Sequence, residues 1–170
     1  MFVDIIPFLQ NKSIFKELEA KVAAACTTPT IIAPEARGFL FAAPLLTEAE
    51  HVENIVPVRK SGKLPFAEGD LHEVLIKKEY GFDKLYYRVS DIVAGKANGD
   101  TFEVTILDDV LATGGTAEGL AESLESLKIE HDGRVYSVKV KEFIFIVEIA
   151  DLKGKERLER IAPVHSITEI

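Results

Sequence analysis

The sequence lacks the features that mark several large classes of protein. It has one cysteine, Cys26, so it can form no internal disulfide, which favours a reducing, cytoplasmic environment and a buried structural thiol. Its four histidines are scattered without the spacing of metal ligands. It also contains no signal peptide and no long apolar run. We therefore expect a cytoplasmic protein that does not bind a membrane.

The sequence also lacks an excess of positive charge: 20 lysines and arginines stand against 28 aspartates and glutamates, which gives a formal net charge of −8 at pH 7. Nucleic acids and anionic membranes are bound by basic patches, so we expect neither as a partner. A small anionic substrate is still compatible with the sequence, since Arg37, Arg59, Lys60 and Lys63 can form a local positive site. The 170 residues, 47% of them hydrophobic, suit one globular domain that spans 1–170.

The most informative segment is residues 104–116, which read VTILDDVLATGGT. An apolar strand ends in Asp108 and Asp109, and a turn rich in glycine and threonine then leads into a segment of helix-forming composition. Ligands of open parallel sheets bind at the carboxyl ends of the strands, and a helix N-terminus offers free backbone N–H groups to a phosphate. Gly114 and Gly115 would let the backbone approach that anion closely.

The two carboxylates distinguish this loop from the P-loop of nucleotide triphosphatases, in which a lysine follows the glycines. Here no lysine follows them. Carboxylates beside a phosphate site suit the vicinal hydroxyls of a ribose that carries the phosphate. The alternative is a plain strand-to-helix turn in which the acid pair caps the helix. The full string DDxxATGGT favours the ribose-phosphate site.

Hydrophobic periodicity and turn residues predict strands alternating with helices, the pattern of an α/β protein with a mainly parallel sheet. Predicted helices cover 13–25, with Ser13 as N-cap, 38–50, 117–127 and 155–160. Predicted strands cover 30–33, 55–59, 86–90, 102–107, 143–149 and 164–167. A hairpin or edge extension is predicted between 128–130 and 135–140. Residues 61–78 lack periodicity, and such long segments are usually functional lids or disordered.

The string at 108–116 resembles the phosphoribosyl-pyrophosphate (PRPP) motif of the type I phosphoribosyltransferases. Further segments resemble the adenine-specific members of that family, in the family's own order. These segments are FVDIIP (2–7), EARGFLF (35–41), VPVRKSGKLP (56–65), EYG (79–81) and EIADLKG (148–154). The similarity thus spans nearly the whole chain.

This resemblance implies a fold and a reaction. The fold is α/β and type I phosphoribosyltransferase-like, with a mainly parallel central sheet flanked by helices, a mobile catalytic loop and a small or reduced hood. The reaction transfers the 5-phosphoribosyl group of PRPP to adenine, which gives AMP and pyrophosphate in purine salvage. The implied cofactor is Mg²⁺, held mainly by substrate oxygens rather than by protein ligands, and the implied assembly is a homodimer.

The resemblance also implies roles for individual residues. Glu79 would be catalytic and would exchange a proton with the imidazole ring of the purine. The ribose 5-phosphate of PRPP or AMP would be bound by Asp108, Asp109, Ala112, Thr113, Gly114, Gly115 and Thr116. Pyrophosphate would be bound by Ala36, Arg37, Arg59, Lys60 and Lys63. The base would contact Phe2, Val3 and Val110.

Several positions depart from the family's pattern. The family usually has about two dozen more residues before the position of Phe2, which contribute to the hood over the base. Val3 stands where an arginine is usual, Pro34 where a glycine is usual, and Ile76 where a tyrosine is common. The segment 59–79 is three residues longer than usual. These departures affect the base-binding half and the loop, and they leave the PRPP half intact.

Two alternative hypotheses stay open at this point. One is a type I phosphoribosyltransferase for another base, such as hypoxanthine, xanthine or a uracil-type pyrimidine. The other is a non-catalytic PRPP-binding regulatory module. The acidic charge argues against a DNA-binding regulator, and Glu79 with the loop cations favours turnover. The segments EARGF and EYG favour adenine over the other bases.

Overall fold

The computed structural model describes residues 3–77 and 81–170. Its strands are β1 (Thr30–Pro34), β2 (Asn54–Lys60), β3 (Leu71–Lys77), β4 (Phe82–Arg88), β5 (Thr101–Leu111), β6 (Ile129–His131), β7 (Arg134–Glu148) and β8 (Val164–Glu169). Its helices are α1 (Ile6–Leu9), α2 (Lys12–Ala25), α3 (Gly38–Ala42), α4 (Leu45–Glu48), α5 (Val89–Val93), α6 (Gly115–Ser126) and α7 (Gly154–Leu158). None of the helices in these two ranges is long and apolar enough to span a membrane.

The strands form one mixed sheet whose centre is parallel. Strands β2, β1, β5, β7 and β8 lie side by side in parallel, while β4 joins β2 antiparallel and β3 joins β4 antiparallel. The short strand β6 pairs antiparallel with the start of β7, which confirms the predicted hairpin. The predicted α/β class with a mainly parallel sheet is therefore confirmed.

Two apolar cores cover the two faces of the sheet. All five residues of β1 are buried, and its neighbouring residues Ile31 and Ile32 belong to different cores. Ile32 packs in the core that contains Leu120 of α6, whereas Ile31 packs in the core that contains Phe41 of α3. Alternating side chains of a strand point to opposite faces, so a strand covered on both sides is apolar throughout.

The ends of some predicted helices were wrong. Helix α2 begins one residue earlier than predicted because Asn11, not Ser13, is its N-cap: the Asn11 side chain accepts hydrogen bonds from the backbone N–H groups of Ser13 and Ile14, at 3.0 and 3.1 Å. The predicted helix 38–50 is two short helices, with Pro44 as the N-cap of the second. Proline has no N–H to continue the first helix.

Two predicted loops were also partly wrong. Residues 71–77 of the predicted irregular segment form β3, in which Val74 and Ile76 are buried and alternate with exposed residues. The exposed Leu75, at 52% of its surface, hid this alternation in the sequence. Strand β5 runs on through Leu111, so the acid pair Asp108–Asp109 lies inside the strand rather than after it.

Candidate active site

The topology brings the predicted motifs to one edge of the sheet. Strand β1 pairs with β2 on one side, as far as Pro34 opposite Val58, and with β5 on the other. The turn 35–37 after β1 and the loop 112–114 after β5 therefore leave the carboxyl ends of neighbouring parallel strands. Open parallel sheets bind their ligands at this edge.

The loop after β5 has the geometry that a phosphate site requires. Gly114 is the N-cap of α6 and has a φ of 77°, a left-handed conformation that glycine adopts without strain. A Cβ atom there would lie 3.1 Å from the backbone oxygen of Gly154 and 3.2 Å from Cγ of Leu158. Residues 112–117 line a cavity of about 210 Å³ with Asp108, Val110, Leu111 and Phe145. The N–H groups of the first turn of α6 are available to an anion there.

The acid pair is held together with Arg37 beside this cavity. Arg37 Nε lies 2.7 Å from Asp109 Oδ2, and Arg37 Nη1 donates a hydrogen bond of 3.0 Å to the backbone oxygen of Val3. Asp108 Oδ1 accepts a 2.8 Å hydrogen bond from the backbone N–H of Asp109. A Cβ on Gly38 would lie 2.9 Å from Asp108 Oδ1, so glycine at this position leaves room for the carboxylate.

The two carboxylates do not have equal electrostatic environments. Burial, and then repulsion by the neighbouring Asp109, raise the pKa of Asp108 well above its ordinary value, although Arg37 acts in the opposite direction. Two carboxyl groups held side by side in this way can bind the vicinal hydroxyls of a ribose.

Glu35, which follows β1, contacts the last two residues of β2, Arg59 and Lys60. Its Oε2 accepts hydrogen bonds from Arg59 Nε at 2.9 Å and from the backbone N–H of Lys60 at 3.1 Å. Burial raises the pKa of Glu35, but these hydrogen bonds outweigh it and hold the pKa below its ordinary value. The Arg59 guanidinium also lies 5.9 Å from the ring centroid of Phe39. Arg59 is therefore fixed by protein groups, while Lys60 and Lys63 are exposed.

Not all predicted site residues can be placed. The predicted base contact Phe2 and the predicted catalytic Glu79 lie outside the described residues. Val3 and Val110, both partly buried, pack against the same apolar core, and Val110 lines the cavity beside the loop. Ala36 lies in the turn between Glu35 and Arg37. The site roles assigned to all these residues stay predictions.

Sequence reasoning missed the contribution of α7 to the site. Gly154, at its start, lies so close to the phosphate loop that a Cβ on it would collide with the backbone oxygen of Ala112. Arg157 Nη1 lies 3.4 Å from the backbone oxygen of Thr113. Gly154 was noticed only as part of the EIADLKG resemblance. No local pattern links residues 154–157 to a loop about forty positions earlier, because the sheet alone brings them together.

A larger cavity of about 460 Å³ lies at the opposite edge of the sheet. Its lining includes Thr27, Glu53 and Glu103, which precede or begin β1, β2 and β5. This is the amino edge of the parallel strands, where α/β proteins do not usually bind their ligands. The smaller cavity is the better candidate because it combines the carboxyl edge, a helix N-terminus and the acid pair.

Solved structures of similar fold define the class of the protein. Adenine phosphoribosyltransferase from Thermoanaerobacter pseudethanolicus is 35% identical with a TM-score of 0.79, and the match covers 99% of this chain and 88% of that one. The Saccharomyces cerevisiae enzyme, solved with adenine and an imino-altritol bisphosphate, is 32% identical with a TM-score of 0.73, over 98% and 86% of the two chains. The fold is that of a type I phosphoribosyltransferase.

Curated relatives narrow this class to one family, although no protein-family model matches the chain. The adenine phosphoribosyltransferase of Methanococcus maripaludis is 36% identical over 166 residues, covering 93% of this chain and 82% of the relative. That of Clostridium tetani is 38% identical over 165 residues, covering 92% and 81%. The chain belongs to the adenine phosphoribosyltransferase family and is a phosphoribosyl-transferring enzyme, which confirms the family predicted from the motifs.

Proposed function

We propose that this chain transfers the 5-phosphoribosyl group of PRPP to adenine, with AMP and pyrophosphate as products, in purine salvage. The observation that carries the proposal is the acid pair in β5, followed directly by a glycine loop at the N-terminus of α6. The S. cerevisiae relative was solved with adenine. Adenine is therefore the base we favour for this chain.

The phosphate loop and the acid pair would hold the sugar. The backbone N–H groups of 112–116 would bind the 5-phosphate, while Asp108 and Asp109 would bind the ribose hydroxyls. Bond cleavage at the anomeric carbon would pass through a transition state with oxocarbenium character. Such a transition state is stabilised by the nearby negative charge of the acid pair, and the bound geometry keeps the leaving group aligned with the incoming base.

The leaving pyrophosphate would be met by the cations at the ends of β1 and β2. Arg37, at the turn after β1, and the exposed Lys60 and Lys63 can donate charge-assisted hydrogen bonds to it. Arg59 would act through its ion pair with Glu35, which fixes the backbone N–H of Lys60 in place. These groups would lower the barrier by stabilising charge on the leaving group rather than by supplying a nucleophile.

We also propose Mg²⁺ as the cofactor. Within residues 3–77 and 81–170, no three Asp, Glu, His or Cys side chains form a group that could hold a metal. The carboxylates of the acid pair fit an ion that is carried mainly by PRPP oxygens, because Mg²⁺ is commonly bound by one or two carboxylates together with substrate phosphates. When bound, Mg²⁺ would neutralise charge on the leaving pyrophosphate.

A base panel tests the proposal. Steady-state assays with PRPP and Mg²⁺ should give nucleotide with adenine and little or none with hypoxanthine, xanthine or uracil. Turnover with one of the other bases in preference to adenine would instead establish a different phosphoribosyltransferase. PRPP binding in calorimetry without turnover of any base would establish the regulatory module.

A single substitution tests the proposed catalytic carboxylate. Glu79→Gln keeps the size of the side chain but removes its ability to exchange a proton with the purine. We expect single-turnover rates to fall by roughly 10²–10⁴-fold at saturating PRPP and adenine, with PRPP affinity nearly unchanged. If Glu79 only pairs with a neighbouring lysine on the surface, the rate should stay within about threefold of wild type, since exposed pairs contribute little.

We further propose that the enzyme is a cytoplasmic homodimer. Leu40 and Leu46, on the helices that follow β1, expose 44% and 49% of their surface and could form apolar contacts with a second copy. Phe39, next to Leu40, lies against Arg59, whose segment would help to complete the partner's site. Light scattering should show a dimer, and a fully active monomer at all concentrations would contradict this assembly.

A further inference from the structure

The short helix α7 forms the outer wall of the phosphate loop. Its first residue, Gly154, packs against Ala112. Its last residue, Leu158, lies beside Gly114, because a Cβ atom on Gly114 would be 3.2 Å from Leu158 Cγ. Between these two contacts, α7 presents Arg157 to the loop and to α6. The loop is thus held from behind by a segment whose side chains need not touch the substrate.

Arg157 joins the phosphate loop to the first turn of α6. Its Nε and Nη2 lie 2.6 and 2.5 Å from Glu118 Oε2. Its Nη1 lies 3.4 Å from the backbone oxygen of Thr113 and 3.5 Å from the position that a Cβ on Gly115 would occupy. The guanidinium therefore lies along the outer side of the turn that would hold the 5-phosphate.

Glu118 makes this contact more than a surface ion pair. It is the acidic residue in the first turn of α6, where the helix N-terminus favours negative charge. A carboxylate there competes with the phosphate for the same positive potential and repels it. A cation that neutralises Glu118 would therefore favour phosphate binding at this helix, and Arg157 contacts the Glu118 carboxylate.

We propose that Arg157 is a positioning residue for the 5-phosphate: it neutralises Glu118 and holds the Thr113 carbonyl, so that the N-terminus of α6 stays available to the phosphate dianion. This inference rests on the proposed function only in that the loop binds a ribose 5-phosphate. It does not depend on which base is transferred.

A double-mutant cycle that removes the two charges tests the proposal. The affinities for ribose 5-phosphate and AMP are measured by calorimetry at low ionic strength. Arg157→Gln should weaken both ligands by at least roughly 10- to 30-fold, the size of the repulsion between two single negative charges about 8–10 Å apart near a protein surface. Glu118→Gln should leave the affinities unchanged or slightly improved. The double variant should return to within about threefold of wild type.

If the Arg157–Glu118 contact only holds α7 against α6, the variants should show a different pattern of ligand affinities. Each single variant would then break the same contact, so Glu118→Gln would weaken the ligands as much as Arg157→Gln, and the double variant would show no recovery. Either result overturns the proposal. Lys139→Gln is the matched control: the Lys139–Glu125 pair, at 2.8 Å, joins the far end of α6 to β7, and its loss should not alter either affinity.

Folding and function are checked separately. Thermal unfolding of each variant shows whether it is folded, and Arg157→Lys, which keeps the charge, should bind within about fivefold of wild type if charge is the main effect. Failure of the wild-type protein to bind ribose 5-phosphate would overturn this inference. Binding of ribose 5-phosphate without AMP synthesis would instead contradict the proposed function. The affinities of the Arg157 and Glu118 variants could still be measured in that case.

Discussion

Both edges of the central sheet bury carboxylates, but they satisfy them in opposite ways. At the amino edge, Glu142 of β7 is 4% exposed and accepts three hydrogen bonds. They come from the backbone N–H of Thr27 at 2.7 Å, the Thr27 hydroxyl at 2.6 Å and the Thr105 hydroxyl at 2.6 Å. At the carboxyl edge, Asp108 and Asp109 stand side by side near one arginine, Arg37.

This difference favours a structural role for Glu142 and supports the proposed ligand-binding role of the acid pair. Thr28 extends the amino-edge network, since its hydroxyl donates to the backbone oxygen of Thr30, at 2.9 Å, and lies 2.7 Å from the Thr105 hydroxyl. Burial also raises the pKa of the adjoining Cys26 thiol, which suits an inert side chain. The acid pair instead repels itself and has bonding capacity left for a ligand. Buried polar groups with hydrogen-bond partners stabilise a fold, whereas carboxylates with a perturbed pKa beside a cavity are candidates for a site.

The largest effect should come from a substitution that displaces the phosphate loop at the carboxyl edge. Gly114→Val places a β-branched side chain at a φ of 77° and within 3.1 Å of the Gly154 oxygen. We expect about 100-fold or greater loss of affinity for PRPP and AMP in calorimetry, because a shift of the loop of about 1 Å is enough for such a loss.

Gly133→Val is the matched control for this substitution. Gly133 also has a positive φ, 73°, but a Cβ there would meet nothing within 4 Å. This variant should lose about 1–3 kcal/mol of stability from backbone strain and keep its PRPP affinity. Equal losses of affinity in both variants would show that the effect at Gly114 is general destabilisation and not closure of a phosphate site.

The next largest effect should come from removing a hydrogen-bond acceptor from the amino-edge network. Glu142→Gln replaces one carboxylate oxygen with an NH₂ group that faces donors, so we expect the free energy of unfolding in urea to fall by about 2 kcal/mol. The kinetic constants of the folded enzyme should not change, because the candidate active site lies at the opposite edge of the sheet. A large fall in kcat would contradict the structural role assigned to Glu142.

Asp108→Asn is the counterpart at the carboxyl edge. An asparagine oxygen can still accept from the N–H of Asp109, while the repulsion within the pair disappears. The folded pKa of Asp108 is raised, so its contribution to stability is present at low pH and is lost as the pH rises above the ordinary aspartate value. At neutral pH this variant should therefore be as stable as wild type or more stable, with lower activity.

One half of the candidate site lies in a single local motif of the sequence, whereas the other half joins distant segments. The phosphate site is one local motif, in which strand, acids, glycines and helix follow each other within 104–127. The pairs Arg59–Glu35 and Arg157–Glu118 are 24 and 39 positions apart. Only the order of the strands brings such partners together, and no periodicity encodes that order. For the same reason β3 was missed, because its pairing with β4 outweighs the exposed Leu75.

The last prediction concerns another buried carboxylate, which lies at neither edge of the sheet. Glu19 of α2 is 1% exposed, and within the described part of the chain neither of its carboxylate oxygens has a hydrogen-bond partner. Burial, and then repulsion by Glu48, raise its pKa from 4.5 to about 8. The Asp108 carboxylate, by contrast, accepts a hydrogen bond from the backbone N–H of Asp109 and lines the cavity beside the glycine loop.

Glu19→Gln tests whether an unsatisfied carboxylate has a function without such a setting. Because the pKa of Glu19 is higher in the folded protein than in the unfolded chain, this side chain stabilises the native state below pH 4.5. That stabilisation is lost as the pH rises towards about 8. Glutamine stays neutral throughout, so the variant should match wild type near pH 5 and exceed it by on the order of 2 kcal/mol at pH 8 in urea unfolding. The matched control is Glu17→Gln, an exposed position of the same helix paired with Lys21 at 3.0 Å, which should show no such pH dependence. A constant difference between wild type and Glu19→Gln at both pH values would contradict the assignment, and a fall in kcat would show that Glu19 serves the reaction after all.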